Sequence, residues 1–397
     1  MEITASRNIR KLKLGVFNEL LERKRKLADK GQNMIDLSVG SPDLPPPSFV
    51  KEEIQTHAAV DTNYGYTMGA IPSFNRTVAE FYESRYGVRL EPGSEVLQLI
   101  GSQDGLAHLA TALIDPGEVV LVPDPGYPIF EVGVHIAGGV PYPMPLLQEN
   151  GYLPRLDRIP REVAEKSRLM VLNYPANPVA ATADRSFFEE AVAFARRYDI
   201  LIVHDFTYSE LVFDREAGTS LLSIPGAKEV AVEFHSLSKT FNMAGCRVGF
   251  MTGNPQVLSI MATMISHTQY GIFHPIQKAA EAALTRGQEF IQRQRDIYRS
   301  RRDALVESLT ANDWQVAKPP ATMYVWAPTP DNQSSTEFVF RLMEETGVIL
   351  TPGRAFGPQG EGCVRITLVQ PEARLEEAAK RIGRFLAAGT RPAGSPG

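Results

Sequence analysis

Between about residues 94 and 252 the chain repeats one unit, a short unbroken apolar run followed by a stretch with helical spacing. Runs at 96–100, 119–122, 169–172, 200–204, 230–234 and 247–251 read as strands, with helices at 104–113, 127–136 and 186–198 between them. A strand with one wet face alternates polar and apolar residues. An unbroken apolar strand needs cover on both faces, which crossover helices supply. The pattern predicts an α/β domain built on a mainly parallel sheet. Ligands of such sheets sit at the carboxyl ends of the strands, so the polar residues closing each run are where chemistry is sought.

After about residue 285 the alternation stops. A long charged helix at 287–309, strands at 323–326 and 364–369 and a helix at 372–386 predict a smaller α+β domain. The N-terminal segment is expected to join it, through a helix at 16–29 carrying Phe17, Leu20, Leu21 and Leu27 and a loop at 40–47 stiffened by its prolines. The expected division is a large domain at 48–285 and a small one made of 1–47 and 286–397. A length of 397 residues suits two domains. The last eight residues, 390–397, have the composition of a disordered tail.

Charge and cysteine content exclude several classes. A net charge of −5 and the lack of any basic block with interleaved aromatics argue against nucleic acid or an anionic membrane as partner. Cys246 and Cys363 make neither a disulfide framework nor a metal-ligand spacing, so no metal is expected. The first fourteen residues are polar and rich in lysine and arginine, unlike a signal peptide, and no apolar window approaches the roughly 18 residues of a membrane span. A cytoplasmic location is expected.

The strand ends carry an unusual set of groups. Phe234-His235-Ser236-Leu237-Ser238-Lys239 closes one run, with Arg247 eight residues on. A partly desolvated lysine at a strand end can form a Schiff base with an aldehyde. Ser236, Ser238 and Arg247 offer hydroxyls and a guanidinium fork to a phosphate; a solvated lysine beside a helix-capping serine is the plainer alternative. Gly101-Ser102-Gln103 opens a helix, whose first N–H groups bind anions and could complete one phosphate cup. Asp205 ends another run and can keep a heteroaromatic ring nitrogen protonated, with Tyr208 in reach of a ring hydroxyl. A helix-capping aspartate and a core tyrosine would look the same. Asn177, between Pro175 and Pro178, is either aimed by a stiff backbone or part of an ordinary turn. Tyr127 offers a face for stacking, or packs. No one of these groups is decisive, but the plainer readings explain poorly why all occur together at strand ends of one domain.

On these residues the chain resembles the class I aminotransferases of the fold-type-I pyridoxal-phosphate family, whose elements occur here in the same order over about residues 35–386. The resemblance implies a seven-stranded, mainly parallel sheet plus a smaller α+β domain. It implies that Lys239 binds the cofactor aldehyde and, once freed, moves a proton between the substrate Cα and the cofactor C4′. Ser102, Gln103, Ser236, Ser238 and Arg247 would hold the phosphate, Asp205 the pyridine nitrogen, and Asn177 and Tyr208 the ring oxygen, with Tyr127 stacked on the ring. Arg365, in Cys363-Val364-Arg365-Ile366-Thr367, would grip the substrate α-carboxylate, with a backbone contact from Gly40. Tyr64, or its near neighbour Tyr66, would reach the phosphate of a second subunit, implying a homodimer with shared active sites. The implied reaction moves an amino group between an L-amino acid and a 2-oxo acid, with glutamate/2-oxoglutarate or alanine/pyruvate as one pair.

Stretches at 122–128, 145–152 and 233–239 resemble a bacterial subgroup of LL-diaminopimelate, alanine and aromatic aminotransferases. Four departures argue against diaminopimelate while leaving the cofactor chemistry intact. Val179-Ala180 replaces Thr-Gly, Cys246 a tryptophan, Gly15 a substrate-contacting tyrosine and His267 an asparagine. β-Elimination as a C–S lyase on the same fold is the alternative reaction. A non-catalytic cofactor sensor is disfavoured by Lys239 and by the lack of a segment for a DNA-binding region.

Overall fold

The computed structural model describes residues 3–12, 16–29 and 31–389, so Gly15 and the tail at 390–397 lie outside the described residues. Its strands in chain order are β1 (Ile35–Asp36), β2 (Val96–Leu99), β3 (Val119–Asp124), β4 (Val140–Pro145), β5 (Ser167–Asn173), β6 (Leu201–Asp205), β7 (Ala231–Ser236), β8 (Gly249–Gly253), β9 (Tyr324–Pro328), β10 (Val348–Ile349), β11 (Thr351–Pro352) and β12 (Cys363–Thr367). Seven of them form the central sheet in the order β2-β8-β7-β6-β5-β3-β4. Strand β8 runs antiparallel to both neighbours, and all other pairs are parallel.

The unbroken apolar runs are explained by two cores, one on each face. Met170, Leu172, Ile202 and Phe250 pack with Phe74, Tyr82, Phe188 and Ala191 of the helices Pro72–Tyr86 and Arg185–Tyr198. Their strand neighbours Leu169, Val171, Val203 and Met251 pack on the opposite face with Leu106, Leu109 and Val134 of the helices Ser102–Leu113 and Ile129–Ala137.

Strand β4 escapes sequence reading because Pro141, Pro143 and Pro145 argue against a strand. The pairing resolves the conflict. Val140 N and Leu146 N bond back to Glu118 O and Asp124 O of the β3 side, so the intervening odd-numbered prolines turn their missing N–H toward the free edge. There the prolines also discourage pairing with another strand. A second correction concerns the run at 247–251. Arg247 sits in the left-handed region at φ 52, and the strand begins only at Gly249.

The C-terminal part has a three-stranded antiparallel sheet, β11-β12-β9, and a long helix, Gln288–Ala311. The N-terminal segment packs beside it: β1 pairs in parallel with β10, and Ile35 and Leu37 share a core with Leu305, Phe338, Ile366 and Ile382. The expected helices at 16–29 and 372–386 are Val16–Asp29 and Glu372–Gly389. The helices Ser48–Ala58, Pro255–Thr268, His274–Arg286 and Ser335–Thr346 were not anticipated. No helix among the described residues is long and apolar enough to cross a membrane.

Candidate active site

Strands β5, β6 and β7 end side by side, Asn173 opposite Asp205 and Asp205 opposite Phe234. A cavity of about 220 Å³ opens beyond these ends. It is lined by Lys239, Ser102, Gln103, Tyr127, Asn177, Asp205, Tyr208, Ser236, Ser238, Arg247, Gly40 and Arg365, which is every predicted site residue except Tyr64. Tyr64 is 65% exposed, its hydroxyl donating to Ala58 O at 2.9 Å, and Tyr66 is 82% exposed beside Tyr270. Neither lines the cavity, and nor do half-buried Cys246 or exposed His267.

One end of the cavity is built to receive an anion. The helix Ser102–Leu113 begins at Gly101, whose φ of 80 suits glycine, and no side chain caps its first N–H groups. A Cβ on Gly101 would strike the Arg247 guanidinium packed against it. That guanidinium bonds Ala244 O at 3.1 Å and Ile100 O at 3.5 Å. Ser236 Oγ accepts from Ser238 N at 3.2 Å and caps the short helix Leu237–Thr240, while the residue also lines the cavity. The serine hydroxyl keeps its own proton to donate.

In the middle of the cavity Lys239 Nζ donates to Gly40 O at 2.6 Å. Burial pushes the amine down to about 8; Arg365 and Arg247 add to the effect and Asp205 opposes it. Asp205 is itself buried, which raises its carboxyl above the usual range against the pull of Thr207, His204 and Lys239. Its Oδ1 accepts from Thr207 N at 3.1 Å, a local turn rather than a helix cap, since no helix follows. Tyr127 donates to Gln103 Oε1 at 2.8 Å, and burial pushes its hydroxyl up to about 12.

The far wall comes from elsewhere in the chain. Arg365 on β12 donates from Nη1 to Asn177 Oδ1 at 2.9 Å and from Nη2 to Ser38 O at 2.8 Å. Its guanidinium lies 4.5 Å from the ring centre of Tyr324 and 4.7 Å from that of Phe356. The Tyr208 and Tyr324 hydroxyls are 2.7 Å apart. Tyr324, Phe356, Thr207, Leu106 and Ala244 complete the lining and were not anticipated. Tyr324 does stand in a recognisable strand, but Phe356 lies in a Gly-Arg-Ala-Phe-Gly loop with no signal of a site.

The turn after Asn177 bears on one departure noted above. Ala180 stands at φ 57, the left-handed region that the family's glycine takes at no cost. Val179 and Ala180 are both buried.

Three cations and one carboxylate are thus held in fixed places. An anion fits between Arg247 and the helix start, a protonated ring nitrogen fits Asp205, an aldehyde carbon fits the weakly basic Lys239, and a carboxylate fits Arg365. Pyridoxal phosphate together with an amino acid has that set of groups. Among the described residues no cluster of three or more histidine, cysteine or acidic side chains could hold a metal.

Comparison with known proteins agrees with this chemistry. The family model described as aminotransferase class I and II matches residues 32–382. The LL-diaminopimelate aminotransferase of Moorella thermoacetica is 42% identical over 382 residues, covering 96% of this chain and 98% of that protein. Among solved structures, substrate-bound BacF from Bacillus subtilis superposes with a TM-score of 0.94 at 37% identity, covering both chains completely. A probable N-succinyldiaminopimelate aminotransferase from Thermus thermophilus superposes at 0.88 with 39% identity, covering 93% of this chain and all of that one.

Proposed function

The chain belongs to the aminotransferase class I and II family and is a pyridoxal-phosphate-dependent aminotransferase of the fold-type-I architecture, and from that premise we propose how its own residues divide the work. Bound pyridoxal phosphate supplies an aldehyde that takes up the amino group and a protonated ring that draws electrons from the substrate Cα–H bond. Lys239 would hold that aldehyde and, as a free amine, would move the proton between the substrate Cα and C4′. Its amine near 8 suits both tasks, being basic enough to accept a proton and weak enough to return it.

Asp205 holds the proton on the ring nitrogen. Ser102, Gln103, Ser236, Ser238 and Arg247 bind the phosphate, and Tyr127 stacks on the ring. Asn177 and Tyr208 orient the ring oxygen. Arg365, with the Gly40 backbone, takes the substrate α-carboxylate. The observation that carries the assignment is Lys239 Nζ, with its depressed basicity, in one cavity with both Asp205 and Arg365. Borohydride reduction of the yellow holoenzyme followed by peptide mapping tests it. The reduced adduct is expected on Lys239, and an adduct on any other lysine overturns the assignment.

The proposed amino-group pair is glutamate/2-oxoglutarate or alanine/pyruvate. LL-diaminopimelate is a second reading, favoured by the activity named for the Moorella relative. Cys246 and His267, whose identities argue against it, stand outside the cavity of their own chain. The absorbance change of the bound cofactor on adding each amino acid without a keto acid separates the readings, because only a true donor converts it. We further propose a cytoplasmic homodimer in which Tyr64 reaches the second subunit, and a division into a domain at 48–285 and one made of 1–47 and 286–397. Exposed Tyr64, Tyr66, Met68, Tyr270 and Phe273 are the support for the dimer. The separate sheets are the support for the domains.

A further inference from the structure

Tyr324 touches both halves of the site. It stands on β9 opposite Thr367, two residues from Trp326, which pairs with Arg365, so its ring and the Arg365 guanidinium share one face of the sheet. The ring lies 4.5 Å from that guanidinium, and the hydroxyl is 2.7 Å from the Tyr208 hydroxyl. The same hydroxyl fills the space where a Cβ on Gly40 would stand, and the Gly40 carbonyl accepts from Lys239. Tyr324 is buried, so these contacts are its fixed surroundings.

We propose that Tyr324 is a positioning residue whose ring backs Arg365 and whose hydroxyl donates to Tyr208, leaving the Tyr208 proton to be donated to the cofactor's ring oxygen. The inference rests on the roles given above to Tyr208 and Arg365. Two hydroxyls at this distance share one proton, and the other must find its own acceptor. If Tyr208 donated to Tyr324, it would have no proton to offer into the cavity. With an anionic oxygen in reach of Tyr208, the opposite direction satisfies both groups, and each bond strengthens the other. The charged and titratable groups around Tyr208 are Tyr324, Arg365 and Asp205. Burial, followed by Tyr324, holds its hydroxyl protonated well above the ordinary range, so it acts as a donor at neutral pH.

The test is a pH titration of the visible absorbance of the bound cofactor in wild type, Tyr324→Phe, Tyr208→Phe and the double variant. A donor to the ring oxygen stabilises its anion and lowers the midpoint. Tyr324→Phe keeps the ring and should raise the midpoint by about half to one pH unit, the worth of one hydrogen bond. Tyr208→Phe should raise it at least as far, and adding Tyr324→Phe to Tyr208→Phe should then change nothing. KM for the amino acid should stay within about twofold in Tyr324→Phe and rise about tenfold in Tyr324→Leu, which removes the ring beneath Arg365. Should Tyr324→Leu not fold, the two phenylalanine variants still decide. No midpoint shift in Tyr324→Phe, or a shift of equal size with and without the Tyr208 hydroxyl, overturns the proposal. A wild-type protein without a titrating visible band would overturn the cofactor assignment beneath it instead.

Discussion

The cavity has two walls made in different ways. The wall assigned to the cofactor is built largely from short pieces at strand ends, with local bonds such as Ser236 to Ser238 and Asp205 to Thr207, although Lys239 and Arg247 also reach Gly40 and Ile100, 199 and 147 residues away. The wall assigned to the substrate carboxylate is held by Arg365 bonding to Asn177 and Ser38, 188 and 327 residues away along the chain. Local pieces put a donor or acceptor in place as soon as the strand and turn form. The long-range wall exists only when the N-terminal segment, the turn after β5 and strand β12 have all come together. Damage to the first wall should therefore strike the chemical step, and damage to the second should strike binding.

The largest expected effect is at the centre of the first wall. Lys239→Ala removes both the aldehyde-binding amine and the proton carrier, and turnover should fall by at least about three orders of magnitude. The variant should still take up pyridoxal phosphate, because the phosphate and ring contacts survive. Single-turnover kinetics check this, and residual turnover within tenfold of wild type would mean another group moves the proton.

Next is Asp205→Asn. The carboxylate becomes neutral while its size and its turn with Thr207 persist, so the ring nitrogen loses the charge that keeps it protonated. A loss of about a hundredfold or more in kcat is expected with the fold unchanged. Near-normal kcat would reduce Asp205 to a turn former and erase the contrast between the walls.

The same difference in construction decides what could be read from the sequence. Most cofactor-side residues that were anticipated lie in the turns that close apolar runs, where the strand pattern points; Tyr64 follows no such run and came from family resemblance. Arg365 and Gly40 came from family resemblance, because nothing local to either marks it. Tyr324 and Phe356 were missed, since an aromatic residue on a short strand or loop reads as core until its long-range partner is known. The fold was legible where one period held along the sheet. It failed at β4, where the exclusion of proline from strands gave way to an edge position, and at Arg247, where a left-handed residue delays the strand.

On the second wall, Arg365→Lys should weaken binding rather than chemistry. The lysine keeps the charge but loses the fork held between Asn177 and Ser38 and the packing between two rings. A charge-assisted hydrogen bond contributes about 1.5–3 kcal/mol, or roughly one to two decades in KM. The rise should be alike for alanine, glutamate and phenylalanine, which share the α-carboxylate. Activity lost with glutamate alone would make Arg365 a reader of side chains.

Tyr64→Phe should do less. In the proposed dimer the Tyr64 hydroxyl would reach the neighbouring phosphate, but it must first give up its bond to Ala58 O. A bond to a charged group, about 1.5–3 kcal/mol, is offset by the lost bond of about 0.5–1.5 kcal/mol. The net is about 1 kcal/mol, or roughly fivefold faster loss of cofactor on dilution. If Tyr66→Phe shows that loss and Tyr64→Phe does not, the contact belongs to Tyr66.

The smallest effect is expected where the walls meet, in the turn that carries Asn177. Holding Ala180 at φ 57 costs about 1–2 kcal/mol, and Ala180→Gly would relieve it. Against that stand two losses of similar size. The buried methyl contributes about 0.8 kcal/mol, and the added freedom of glycine in the unfolded chain costs about 0.4–1 kcal/mol. These terms nearly cancel, so the variant should unfold in urea within about 0.5 kcal/mol of wild type, with unchanged KM. The near balance explains how alanine can stand where the family has glycine while Asn177 still meets Arg365. A stabilisation above about 1.5 kcal/mol would show that the strain is real and uncompensated, and a comparable destabilisation would show that the methyl packs more tightly than its burial suggests.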